Sequence, residues 1–306
     1  MTPNYTLVTG ATGFIGRALT ARLAAEPEAH VAILVREQYR EMPLPPPLDS
    51  LRDRLVIVYA DLRDYQMTRR AVQAVRPDVV FHLAAGGVSD PFMAIDAALE
   101  QNLSTALNLL RAAYEEERSP RPDRLIVVRT PGEITAMNPY AASKAAAWQI
   151  CAMFARTRAW PIFGAMPFQT YGYGQHDTHL VSGALSAALA GQDFPMTAGE
   201  QEKDWIYIED VLDGLLALRQ AALEPGTTVQ LGTGITTSVA EVVRQIYAQV
   251  DGAGKPLFGA LPARAGEEAV QVADVAQAEA LLGWQARVPL EEGLAKTLAR
   301  TRARNA

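Results

Sequence analysis

Short apolar runs alternate with stretches of helical periodicity through the first half of the chain. Tyr5, Leu7 and Val8 form a β-prone run, and Gly10, Gly13 and Gly16 follow at three-residue intervals before an Ala/Leu-rich pattern carrying Leu19 and Leu23. Residues 30–35 (HVAILV), 55–59 (LVIVY), 78–83 (DVVFHL), 125–128 (LIVV) and 161–166 are further runs of strand length. Helical stretches lie between them at 64–75, at 91–117 and from 138 onward. Asp64 is placed to cap the first of these, and Asn138 with Pro139 behind it reads as a cap followed by a first helical residue. Strands alternating with helices predict an α/β fold, a doubly wound parallel sheet of the Rossmann type. That domain is expected to take residues 1–173 and to be completed by a strand within 227–234. A smaller substrate-binding lobe is expected from 174–226 and 235–306.

Composition narrows the class. The 306 residues suffice for a large core, and 49% hydrophobic with 20% charged residues is ordinary for a soluble enzyme. A net charge of -6 gives no basic patch for a nucleic acid. The single cysteine, Cys151, rules out an internal disulfide and suits a reducing compartment. No signal-like segment precedes the first strand, and no apolar run reaches the ~18 to 20 residues that span a bilayer. A cytoplasmic protein with no membrane partner, no nucleic-acid partner and no metal site is therefore expected. Four prolines in 42–48 (MPLPPPL) read as a surface linker between the second and third strands.

The glycine-spaced turn is where chemistry first enters. A glycine at the first position allows the turn, one at the second lets a pyrophosphate approach the backbone, and one at the third lets helix and strand pack closely. The free N–H groups opening the helix then favour phosphate. Arg36 follows the second strand, where an arginine suits a ribose 2′-phosphate and an acid suits a free hydroxyl. Arg36 thus favours NADP(H) over NAD(H), with Arg40 able to share the role. Tyr140 and Lys144 are four residues apart, so phenol and ammonium share one helix face, and a cation beside a phenol favours the phenolate. Alone, a Tyr-x-x-x-Lys spacing is common by chance.

Taken in order, TGATGFIG at 9–16, Asp61-Leu62, HLAA at 82–85, the Asn102 to Leu110 pattern and Tyr140-Ala-Ala-Ser-Lys144 resemble the extended short-chain dehydrogenase/reductase family of nucleotide-sugar epimerases, dehydratases and reductases. The second half continues the resemblance through 167–175, Lys203 to Val211, Arg264 to Glu267 and Leu281 to Trp284. The resemblance implies that Gly10, Gly13, Phe14, Ile15, Gly16, Arg36, Asp61, Leu62, Leu83, Ala84, Ala85, Tyr140, Lys144 and Pro167 bind the cofactor. Asp61, left free by Asp64 as the cap, would accept from the adenine amine. His82 reads as a packed core residue, and Asn102 as a tie from its helix to a neighbouring loop.

For catalysis the resemblance implies Thr130, Tyr140 and Lys144, and for the substrate Gly86, Gln169, Lys203 and Arg264, the last two on a diphosphate. Trp205 and Trp284 read as packing residues. One segment departs from the family pattern: 129–134 (RTPGEI) replaces the usual Ser/Thr-rich stretch, shortens the path to Tyr140, and lacks the Asp-Glu pair that follows the threonine in a 4,6-dehydratase. An NADPH-dependent 4-ketosugar reductase is favoured, with a nucleotide-sugar 4-epimerase as the alternative. A non-catalytic cofactor-binding regulatory protein is the alternative of another class. A homodimer, pairing the helices of 91–117 and 138–157 across a two-fold axis, is also implied.

Overall fold

A computed structural model describes residues 4–88, 90–115, 120–250, 252–263 and 266–305. Two compact units divide the chain: Met1–Met166 with Leu215–Val229, and Pro167–Gly214 with Gln230–Ala306. The division thus falls at 166 and, later, within the strand Thr228–Leu231.

Its strands are β1 (Tyr5–Thr9), β2 (His30–Val35), β3 (Leu55–Tyr59), β4 (Val79–His82), β5 (Arg124–Val128) and β6 (Ile162–Pro167), which pair in parallel. With β10 (Thr228–Leu231) they form a seven-stranded sheet in the order β10-β6-β5-β4-β1-β2-β3. This is the doubly wound sheet expected from the sequence. The order reverses between β1 and β4, where folds of this kind open a ligand crevice at the carboxyl ends of the strands. Strands covered on both faces need no polar alternation, which explains the continuous apolar run of β2, buried from Val31 to Val35.

Helices α1 (Phe14–Ala24), α2 (Tyr65–Val75), α3 (Ile95–Ala98), α4 (Thr105–Tyr114) and α5 (Pro139–Arg158) belong to the same unit. Asp64 caps α2 by accepting from the Met67 N–H at 3.0 Å, and Asn138 caps α5 through the Ala141 N–H at 2.9 Å. The long helix expected over 91–117 is broken up: helical structure begins only at Ile95, and Leu99–Ser104 forms a π-helical turn between α3 and α4. Such an inserted turn rotates the following face by about one residue, which apolar periodicity does not register.

In the second unit β9 (Glu202–Tyr207) pairs with β7 (Gln169–Tyr171), β11 (Thr236–Ser238) and β13 (Val270–Gln271). A smaller pair joins β8 (Phe194–Pro195) to β12 (Pro256–Leu257). The helices are α6 (Leu180–Leu189), α7 (Ile208–Gln220, which runs on into the first unit), α8 (Val239–Ala248), α9 (Val275–Leu282) and α10 (Leu290–Asn305). Asp204, fully buried on β9, organises this sheet. Its carboxylate accepts from the Thr233 N–H (2.8 Å) and hydroxyl (2.7 Å), the Gly234 N–H (2.9 Å) and the Ala273 N–H (3.2 Å). Trp205 packs as expected, buried with its indole N–H on the Thr237 carbonyl at 2.9 Å. Among the described residues no helix is long and apolar enough to cross a membrane.

His82 is the core histidine that its setting in an apolar run predicted. It is buried at the end of β4 with Nδ1 2.8 Å from the Thr9 hydroxyl, and burial, with a smaller push from Lys144, lowers its pKa from 6.5 to about 3. The unfolded chain therefore binds a proton that the folded chain refuses between these two values, and stability falls as pH drops through that window. His82→Gln should remove this part of the acid sensitivity. Melting temperatures followed from pH 7 downward should converge on, then exceed, those of the native chain, and parallel curves would contradict the assignment.

Candidate active site

The glycine turn joins β1 to α1. Gly10 has φ +71°, in the left-handed region, and a Cβ there would lie 2.5 Å from the Ala84 nitrogen. A Cβ at Gly16 would overlap the Gly10 carbonyl. Gly13 differs, being exposed, with only the Gly10 oxygen nearby at 3.3 Å. It occupies the N-cap of α1, where no side chain caps the helix and no acidic residue stands in the first turn. The first N–H groups of α1, including those of Phe14 and Ile15, are thus left for an anion, with open space above Gly13. This cradle fits a dinucleotide pyrophosphate.

The strand ends next to it carry the other expected cofactor residues. Leu83 donates its N–H to the Thr9 carbonyl at 3.1 Å, and Ala84 to the Thr9 hydroxyl at 3.4 Å, so 83–85 continue β4 alongside the turn. Arg36 is exposed directly after β2. Arg40 is engaged locally with the Glu37 carboxylate and over the Tyr59 ring at 4.2 Å. Asp61 is not free as expected. Its carboxylate takes the Arg63 guanidinium at 2.6 to 3.0 Å and the Arg63 N–H at 2.9 Å, and Arg63 holds its pKa below the usual range. Leu62 is buried, with its carbonyl accepting from Asn108 at 2.9 Å.

Asn102, in the π-helical turn, makes the expected tie. Its Oδ1 accepts from the Gly86 N–H at 2.8 Å, while its Nδ2 donates to the Gly86 carbonyl at 3.0 Å and to the Ser143 hydroxyl at 2.8 Å. One buried amide thereby fixes the loop after β4 to the helix bearing Tyr140 and Lys144.

Tyr140 and Lys144 lie one turn apart on α5, both partly buried. The Lys144 ammonium donates to the Val128 carbonyl at the end of β5, 2.8 Å away. Burial lowers the Lys144 pKa. The expected lowering of the Tyr140 pKa is absent: burial first, and the charge of Glu133 second, raise it. Thr130 follows β5 and opens a 3₁₀ turn, Pro131–Glu133, which packs on the start of α5; a Cβ at Gly132 would lie 3.4 Å from that of Ala141.

Sequence reasoning passed over two residues of this segment. The Glu133 side chain is 1% exposed, and its carboxylate accepts from Arg129 Nε at 2.8 Å and from the Thr130 N–H at 3.0 Å. Arg129 is held further by the Thr228 hydroxyl at 3.0 Å and by the Trp148 ring, 4.6 Å from its guanidinium. Their i, i+4 spacing was the available signal; their burial was not readable.

In the second unit, Pro167 closes β6 and Gln169 opens β7 with its side chain exposed. Lys203 is buried, donates to the Glu268 carbonyl at 3.0 Å, and has its pKa lowered by burial. Arg264 lies outside the described residues.

The model of the NAD dependent epimerase/dehydratase family matches residues 6–232. The chain belongs to that family. It is 29% identical over 318 residues to the UDP-glucose 4-epimerase of Mycolicibacterium smegmatis, with 96% of this chain and 97% of the relative covered. Among solved structures it resembles the UDP-glucose 4-epimerase of Thermotoga maritima with UDP-glucose, with TM-score 0.86, 22% identity, and 99% and 100% of the two chains covered. It also resembles MoeE5 in complex with UDP-glucuronic acid and NAD, with TM-score 0.84, 26% identity, and 98% and 100% covered.

The tie through Asn102 is testable without a ligand. Asn102→Ala leaves the Gly86 N–H and carbonyl without their partner and removes the donor to the Ser143 hydroxyl, which keeps its bond to the Tyr140 carbonyl at 2.8 Å, and should cost about 3 kcal/mol. A urea unfolding midpoint showing a loss below ~0.5 kcal/mol, the scale of a neutral surface change, would contradict it.

Proposed function

We propose that the protein is a nucleotide-sugar 4-epimerase working with NAD(H). The observation that carries this reading is the placement of Tyr140 and Lys144 together on α5, with Lys144 bound to the end of β5, in a chain of this family. Thr130 and Tyr140 hold the C4 oxygen of the sugar. Tyr140 moves the proton on that oxygen, and Lys144 keeps a positive charge beside the site. A nicotinamide held over the glycine turn would supply the acceptor and donor of the hydride. Pro131 and Gly132 stand where a 4,6-dehydratase would carry its acid pair, which argues against loss of water at C5 and C6. Gly86, Gln169, Lys203 and Arg264 belong to the nucleotide-sugar site in this reading, the two cations on the diphosphate. The same reading takes the chain as a homodimer pairing α4 and α5.

A second reading, an NADPH-dependent 4-ketosugar reductase, is favoured by one observation, the exposed Arg36 after β2 where a 2′-phosphate would sit. We rank it second because relatives named as 4-epimerases support the first reading.

With NAD present, the protein should interconvert one C4 pair within a panel of UDP- and dTDP-hexoses. Tyr140→Phe should slow this by at least ~100-fold, the scale of lost general acid–base catalysis, while the NAD dissociation constant stays nearly unchanged. Consumption of NADPH by a 4-ketosugar without interconversion would favour the second reading. Full activity in Tyr140→Phe would remove Tyr140 from the chemistry.

A further inference from the structure

The segment 129–134, where the chain departs from its family, is not merely shortened. Within five residues it holds a partly buried cation and a buried anion, and each has its partners fixed. Glu133 receives Arg129 Nε on one oxygen and the Thr130 N–H on the other. In return its own N–H donates to the Thr130 carbonyl at 3.0 Å. Arg129 is tied through its backbone N–H to the Ala165 carbonyl at 2.7 Å, and through its side chain to Thr228 and Trp148. The residue before it, Val128, offers the carbonyl that holds Lys144. One rigid piece of backbone thus presents the lysine acceptor, the catalytic threonine and an ion pair in succession.

A buried ion pair is weak evidence for stability, because desolvation offsets most of the attraction. An apolar pair would fill the same space without that cost, so the charges call for a role in the site. We infer that Glu133 and Arg129 are positioning residues: the Glu133 carboxylate pins the Thr130 backbone and serves as counter-charge to Lys144, and Arg129 holds that carboxylate in place. The role of the pair in turnover rests on the function proposed above.

Among the described residues, the groups that act on Lys144 are Glu133 and Arg129 from the segment after β5 and Cys151 from α5 itself, while His82 on β4 feels its charge in turn. The Cys151 thiol is pushed up to about 12 by burial and is neutral, as is His82, whose pKa is lowered to about 3. That leaves Glu133, which favours the ammonium, and Arg129, which opposes it, as the charged neighbours. The two therefore act on Lys144 in opposite directions.

The chain has four lysines, Lys144, Lys203, Lys255 and Lys296, so lysine labelled with carbon-13 at Cε gives a readable spectrum. The Lys144 signal is assigned by its loss in Lys144→Met. Its titration needs neither cofactor nor sugar, and stands apart from any test of the enzymatic reading. In Glu133→Gln, Lys144 should titrate about 1 pH unit lower than in the native chain, and in Arg129→Gln it should titrate higher. Loosening of the segment would let water reach the amine and raise the value in both variants. An upward move in both, or no move in either, would overturn the proposal. Opposite moves support it even if both variants melt earlier.

Discussion

Everything in the first unit is referred to one crowded point, where the Gly10 to Gly16 turn meets the end of β4. No Cβ can be placed at Gly10 without striking Ala84, or at Gly16 without striking the Gly10 carbonyl. Strand β1, helix α1 and the Leu83-Ala84 backbone are therefore held at backbone contact, closer than side chains permit. Gly13 escapes this crowding and opens outward at the helix N-cap. The same three residues thus fix the sheet at its switch point and leave donors facing the space where a dinucleotide would lie.

From that point a chain of polar ties reaches the helix that carries Tyr140 and Lys144. The Thr9 hydroxyl takes His82 and Ala84, Asn102 binds the Gly86 backbone to Ser143 on α5, and Lys144 returns to the β5 end at Val128. The first of these ties joins the ends of β1 and β4, and the other two bring α5 to the loop after β4 and to the end of β5. Glu133 and Asp204 show a second habit of this chain. Both are buried carboxylates whose oxygens are taken up by backbone N–H groups and by one side chain, an arrangement in which burial of the charge is tolerated.

Much of this was legible in the sequence. The strands at 30–35 and 55–59 appear with the bounds their apolar runs predict; β2, covered on both faces, is buried from Val31 to Val35, whereas β3 is the edge strand and leaves Val56 exposed. Asp64 and Asn138 were readable as caps because capping depends on a few adjacent residues. Features that depend on contacts across the chain were not readable. The π-helical turn at Asn102 leaves no periodic signature, and Asp61 read as free although Arg63, two residues on, closes over it. The lowered phenol pKa expected from the Tyr140 to Lys144 spacing is reversed by burial and by Glu133, whose side-chain placement no spacing rule gives.

On the function proposed above, a hydride leaves C4 of a nucleotide sugar and comes back to the same carbon, while Tyr140 moves the proton on its oxygen. Interconversion of two nucleotide hexoses that differ only at C4, run in deuterium oxide and followed by proton NMR, tests it most directly. Both sugars should reach equilibrium with the C4 hydrogen fully retained, because a hydride held on a bound nicotinamide would not exchange with solvent. Deuterium appearing at C4 at the rate of interconversion would mean that the hydrogen leaves as a proton, and hydride transfer at C4 would be excluded.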